Sequence, residues 1–331
     1  MSETTMRAIW CTEYQDPAGL SIATVPRPVP ALGEVLVRVH AAAVGFVDLL
    51  IAGGRYQVKP PLPFAPGSEL AGEIVAIGPG VEGHHLGQRV IGWGFTGAYA
   101  DYAAVAAAGL TPLPDSLSFE DAAGFRINYG TAYHGLVDRG RAVAGETLLV
   151  LGAAGAVGAA AVQVGKALGL RVIAAASSPE KREFALHLGA DDVVDYTAPG
   201  WRDDLKAKAG PRGLDLVFDT VGGDYAEPAF RTLGWGGRHL VVGFAAGRIP
   251  ALPYNLALLK GAELVGVDFA RFGNIHQLEK ARANAALLFD WLAGGRLKSL
   301  PGEIVPFADF ARAFTAVAGR KAVGRVVLKL A

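Results

Sequence analysis

The stretch Leu148 to Gly158, LLVLGAAGAVG, leaves this chain few folds to choose from. An apolar run without charge stops at Gly152, and a segment of small residues follows. A buried strand that turns directly into a helix needs glycine where the backbone bends and approaches its neighbours. The helix start then offers free N–H groups and positive potential, which suits a phosphate. The usual G-x-G-x-x-G has Ala153 in place of its first glycine. On the pattern alone, an ordinary strand-to-helix turn stays open beside a dinucleotide loop.

The surroundings favour the dinucleotide loop. Ala159 to Leu168 reads as a helix of small residues, Arg171 to Ala176 as a strand and Pro179 to Leu188 as a helix. Asp192 to Asp195, Leu214 to Phe218, Arg238 to Val242 and Glu263 to Val267 read as further strands with helical spacers. Apolar strands alternating with helices predict an α/β, doubly wound parallel sheet covered on both faces. Upstream the texture differs. Val35 to Val39, Gly72 to Ile77 and Arg89 to Ile91 are short strands between Gly/Pro turns, which predicts a β-rich, partly barrel-like domain. At the tail, His276 to Leu292 reads as an amphipathic helix. Ile304-Val305 and Arg325 to Leu328 read as strands around a helix at Phe310 to Val317, and they fit the first domain better. The expected division is 1–125, 126–268 and a return segment, 269–331.

Composition narrows the class. The chain has 331 residues, 51% hydrophobic and 19% charged, enough for two packed domains. Lys plus Arg equals Asp plus Glu at 31 each, so no charge excess argues for nucleic acid or an anionic membrane. Cys11 is the only cysteine. No basic-then-apolar leader and no 18-residue apolar run stands out, and the expectation is a soluble cytoplasmic protein.

NAD sites usually place an acid about 20 residues past the glycine loop, on the ribose hydroxyls. Here that place holds Ser177-Ser178, then Lys181 and Arg182. Hydroxyls and a lysine suit a 2′-phosphate, which an acid would repel, so NADPH is the expected cofactor. The same two cations also fit a solvated helix face.

These residues resemble a family. VGFVDLLIAGGRY (44–56), PGSELAGEIVAIGPGV (66–81), NYGTAYHGL (128–136), GAAGAVGAAAVQVGKALG (152–169), LGADDVVDY (188–196), FDTVGG (218–223) and VGRVVLKL (323–330) are similar to the medium-chain dehydrogenase/reductases of the zinc-independent quinone oxidoreductase, or zeta-crystallin-like, branch. The resemblance spans nearly the whole chain. It implies a GroES-like catalytic domain, a Rossmann NADPH-binding domain and a homodimer joined near Glu263 to Val267. It places Ala153, Ala154, Gly155, Ala156 and Val157 at the pyrophosphate. Ser177, Lys181 and Tyr196 match the 2′-phosphate position, and Thr131 lies beside the nicotinamide. Asp219, Thr220 and Val221 match the adenosine side, and Gly243, Phe244 and Ala245 the nicotinamide ribose. Gly45, Phe46, Asp48, Arg320 and Arg325 complete the residues expected near the cofactor, although Asp48 also reads as a brace for the turn after Gly45.

Departures from the family bear on chemistry. Zinc-dependent relatives carry a cysteine where Gly45 stands, and His-Glu where Ser68-Glu69 stands; no metal is expected. Many quinone reductases carry Asn at the place of Gly45, and some carry Tyr at the place of Leu50. The expected reaction is hydride transfer from NADPH to a quinone or an α,β-unsaturated carbonyl, which needs orientation and a few donors rather than a metal. Tyr56 is the first candidate donor, with Asn128 and Tyr129 next; Tyr56 reads equally as a packed aromatic. Two alternatives stay open: an enoyl-thioester reductase, and an NADPH-binding protein without turnover.

Overall fold

The computed structural model describes residues 4–331. The first three residues, with which the expected 1–125 domain begins, lie outside the described residues. The chain divides into two compact units. One takes the chain up to Arg126 together with Pro301–Ala331, and the other takes Ile127–Leu300. The return therefore begins at 301 and not at the expected 269. The reason lies in the helix Leu278–Ala293. Its Lys280 and Asn284 both bind Asp138, and Trp291 sits edge-on against Tyr133, all within the second unit.

In the first unit, Glu34–Ala43 is the long central strand of a seven-stranded sheet. It pairs antiparallel with Glu69–Ile77, Tyr102–Ala106 and Arg325–Lys329. Val35, Val37, Val39, Leu70, Ile74, Val90, Val326 and Leu328 share one core, as alternate residues on facing strands must when one face is buried. Gly302–Pro306 closes one end of the sheet, parallel to Arg325–Lys329. Two of the seven strands thus come from the end of the chain.

Two buried polar contacts shape this unit. Arg325 is 7% exposed, and its guanidinium donates to the carbonyls of Glu120 and Ala123 and to the Asp121 carboxylate. Asp48 is 1% exposed, on the helix Phe46–Ala52. Its Oδ2 accepts the Gly45 N–H at 2.8 Å and lies 2.7 Å from the Tyr99 hydroxyl. That hydroxyl is also 3.0 Å from the Ala43 carbonyl. The phenol hydrogen is thus shared between the Asp48 carboxylate and the Ala43 carbonyl. Burial pushes the Asp48 carboxyl up, and hydrogen bonds from Ser68, Tyr99 and Gly45 pull it only partly back. Burial and the adjacent Asp48 push the Tyr99 hydroxyl far above the usual phenol range, so Tyr99 keeps its own hydrogen.

In the second unit six parallel strands run in the order Asp192–Val194, Arg171–Ala175, Thr147–Leu151, Leu214–Asp219, Leu233–Val241, Glu263–Gly266. Chain order reverses between Thr147–Leu151 and Leu214–Asp219, the switch point where α/β sheets bind ligands. Every residue of Thr147–Leu151 is buried, which is why it reads as a continuous apolar run. Trimming one such leucine to alanine typically costs about 2–5 kcal/mol. By contrast the Arg141–Glu263 ion pair, with side chains 57% and 49% exposed, belongs to a class worth at most about 1 kcal/mol. Packing, not surface charge, holds this sheet. Among the described residues no helix is long and apolar enough to cross a membrane.

The raised Asp48 carboxyl gives a pH signature. A carboxyl raised in the folded state stabilises fully below its unfolded pKa, about 4, and that contribution is lost as pH rises through the folded value. Asp48→Asn removes this titration. Denaturation of parent and variant between about pH 4 and 8 should show the variant gaining on the parent as pH rises. A difference that stays constant with pH would contradict the raised carboxyl.

Candidate functional site

The glycine loop sits at the switch point of the second unit. Gly152 ends the central strand with φ +77°, and a Cβ there would stand 2.5 Å from Thr220 Oγ1. At Gly158 a Cβ would meet the Gly152 carbonyl at 2.2 Å. Glycine at these two places lets the helix Ala156–Ala167 start directly over the end of the strand. The Gly152 and Ala153 N–H groups both donate to Ala175 O, and the Thr220 hydroxyl donates to Leu151 O. The helix starts from Gly155 with no side chain hydrogen-bonding its first turn. Its first N–H groups, from Ala156 and Val157 on, are what an anionic group would bind. The Ala153–Val157 segment thus fits a pyrophosphate by backbone alone.

A second layer comes from Asp219, which the sequence reading placed beside Thr220 and Val221. Its Oδ1 accepts the N–H groups of Val221 and Gly222, each at 2.8 Å. Its Oδ2 faces His239 Nε2 at 3.0 Å, both side chains buried. The neighbouring turn is tied to this one, since Gly243 N donates to Asp219 O and Ala245 N to Thr220 O. Asp219 therefore fixes Thr220, Val221 and the Gly243–Phe244–Ala245 turn in one frame. His239, 20 residues on, was missed; nothing local marks a strand histidine as the partner of another strand's carboxylate.

At the end of the second strand, Ser178 caps the helix Pro179–His187, its Oγ accepting Lys181 N. Ser177 and Lys181 are half-buried there. Arg182 is engaged at once, 2.8 Å from Asp195. Tyr196 packs on Tyr225 with ring centroids 4.6 Å apart. These residues gather at the carboxyl ends of the strands that carry the glycine loop.

The other candidates divide. Thr131 and Asn128 lie on Phe125–Tyr133, each 8% exposed. Tyr129 does not meet its expectation as a donor to substrate. It is 1% exposed and its hydroxyl donates to the Lys298 carbonyl, an acceptor 169 residues away. In the first unit, Gly45, Phe46 and Tyr56 are half-buried. Asp48, expected near the cofactor, instead turns its carboxyl inward as described, so it shapes the Gly45 turn without presenting itself. Arg325 is likewise corrected: its guanidinium braces the Glu120–Ala123 backbone. Arg320 is exposed, with φ +54°, beyond the helix Phe310–Ala318. Tyr99, the partner of Asp48, was missed because 51 residues separate the two.

Among the described residues no three His, Cys, Asp or Glu groups converge as ligands. Cys11 is buried, its thiol directed at the Glu13 carbonyl.

The alcohol dehydrogenase GroES-like domain matches residues 31–115, and the zinc-binding dehydrogenase domain matches 156–285. Quinone oxidoreductase-like protein 2 of Mus musculus is 38% identical over 330 residues, covering 98% of this chain and 92% of that one. A mycobacterial protein solved in complex with NADPH superposes with a TM-score of 0.91 at 31% identity, covering 98% of this chain and 100% of that one. The quinone oxidoreductase of Thermus thermophilus, also solved with NADPH, gives 0.84 at 34% identity, with 98% and 100% covered. A chain with this split sheet, this glycine turn and these relatives belongs to the medium-chain dehydrogenase/reductase superfamily, in its quinone oxidoreductase-like branch.

Proposed function

We propose that this oxidoreductase uses NADPH to reduce a conjugated acceptor, a quinone or an α,β-unsaturated carbonyl. The observation that carries the cofactor is the end of the Arg171–Ala175 strand. Ala176-Ser177-Ser178 follows where an NAD site would hold an acid, with Lys181 in the first turn of the next helix. Asp195, the carboxylate beside this segment, is already neutralised by Arg182. Its carboxyl stays below the usual range; slight burial opposes this, and hydrogen bonds from Thr197 with the charge of Arg182 outweigh it. The relatives solved with NADPH support the same reading.

The reduced nicotinamide supplies the hydride. In this reading the 152–158 turn binds the pyrophosphate through backbone N–H groups, and Ser177, Lys181 and Tyr196 bind the 2′-phosphate. Thr131, Thr220, Val221 and Gly243–Ala245 orient the rest of the cofactor. Gly45 and Leu50 bring no polar group, so the acceptor must spread its developing charge into its own π-system. That favours quinones and enones over saturated carbonyls. Tyr56 is assigned as the donor to that charge. The reading also includes a homodimer through the edge strand Glu263–Gly266, where Trp235, Leu258, Leu259 and Leu264 are all more than half exposed.

NADPH oxidation with a panel of quinones, enones and enoyl thioesters tests the reaction. Turnover with quinones or enones is expected. Turnover confined to enoyl thioesters would move the assignment there, and tight NADPH binding without turnover on any acceptor would sink it. Lys181→Ala should weaken NADPH about 10- to 100-fold, the range for losing one charge-assisted hydrogen bond, and NADH by less than about 3-fold. Equal losses would refute the phosphate assignment. Sedimentation should give a dimer for the parent and a monomer for Leu264→Lys; a monomeric parent would rule the interface out.

A further inference from the structure

Two loops that are far apart in the sheet meet through one aromatic pair. The strands Asp192–Val194 and Leu214–Asp219 have two strands between them, so three spacings, about 14 Å, separate their ends. Tyr196 follows the first of these strands, and Tyr225 closes the Gly223–Tyr225 turn after the second. Their ring centroids are nevertheless 4.6 Å apart, tilted at 53°. Trp201, at the start of the helix Trp201–Ala209, stands edge-on to Tyr225 at 6.3 Å. All three rings are half-buried against the core around Val194, Leu205 and Val221. The contact thus links the Tyr196 loop to the turn organised by Asp219.

Tyr196 combines a backbone anchor with a ring contact. Its backbone is anchored through the preceding Asp195, which binds Arg182 and both the amide and hydroxyl of Thr197. That anchor does not fix where the ring points. The ring rests on Tyr225, so the direction of the Tyr196 side chain depends on a residue in the neighbouring nucleotide turn. We propose that Tyr225 is a specificity-determining positioning residue: it holds Tyr196 in the orientation that receives a 2′-phosphate, and thereby favours NADPH over NADH. The inference rests on the NADPH reading above. It requires the ring of Tyr225 and not its hydroxyl, because the contact is between ring faces and edges.

The test is the ratio of two affinities, which a general loss of stability would not move. Dissociation constants for NADPH and NADH are measured on the full chain for the parent, Tyr225→Phe, Tyr225→Leu and Lys181→Ala. Tyr225→Leu keeps an apolar side chain against the core and removes the aromatic contact. It should weaken NADPH about 3- to 10-fold, the range for one aromatic pair, and NADH less than 2-fold. Tyr225→Phe should restore the parent ratio. Equal weakening of both cofactors, or none, while Lys181→Ala still discriminates, overturns the role of Tyr225 alone. Failure of Lys181→Ala to discriminate overturns the NADPH reading, and this inference with it.

Discussion

The nucleotide end of the second unit depends on one close approach: the backbone of Gly152 against the side chain of Thr220, with the start of a helix folded over both. A methyl group at Gly152 would occupy the space of Thr220 Oγ1, and one at Gly158 would occupy that of the Gly152 carbonyl. Because neither is present, the Thr220 hydroxyl reaches Leu151 O and locks two neighbouring strands at their carboxyl ends. Asp219 then passes that geometry to the next turn through its carboxylate and carbonyl together. The loops are placed by backbone contacts first, and the side chains that would meet a ligand are added to a frame already set.

Much of this frame is legible in the residues themselves, because it is local. The LLVL run, the small-residue helix and the successive apolar strands each announce an element from within a dozen residues, and the parallel sheet follows from their alternation. The strand at Arg238 to Val242 was read short, since the observed strand starts at Leu233 and its first residues carry three glycines that look like a turn. What escaped was long-range pairing. Tyr129 looked available because it is a polar residue just before Thr131; its acceptor is 169 residues downstream. The resemblance put Arg325 near the cofactor; its acceptors are more than 200 residues upstream. The amphipathic pattern of Leu278–Ala293 says which face is buried and nothing about the sheet that buries it.

Two buried carboxylates of the second unit and one of the first differ in what surrounds them. In the second, buried carboxylates meet donors: Asp219 two amides and a histidine, Asp138 the groups of His134, Lys280 and Asn284. Burial alone would raise the Asp138 carboxyl, but those three donors outweigh it and hold it below the usual range. In the first, Asp48 has only neutral partners at hand, Gly45 N–H and the hydroxyls of Ser68 and Tyr99. The neighbours thus pull the Asp138 carboxyl down where burial pushes the Asp48 carboxyl up.

The seven-stranded sheet takes Gly302–Pro306 and Arg325–Lys329 from the end of the chain, and the backbone of Leu330 still binds His40 O. During synthesis every strand of the second unit therefore leaves the ribosome while the first unit lacks the neighbour of its central strand. Glu34–Ala43 must wait with one edge incomplete until Arg325–Lys329 emerges. The second unit, inserted within the first, is the part that can finish folding early. Deleting residues 325–329 would strip the strand that joins Gly302–Pro306 to the central Glu34–Ala43.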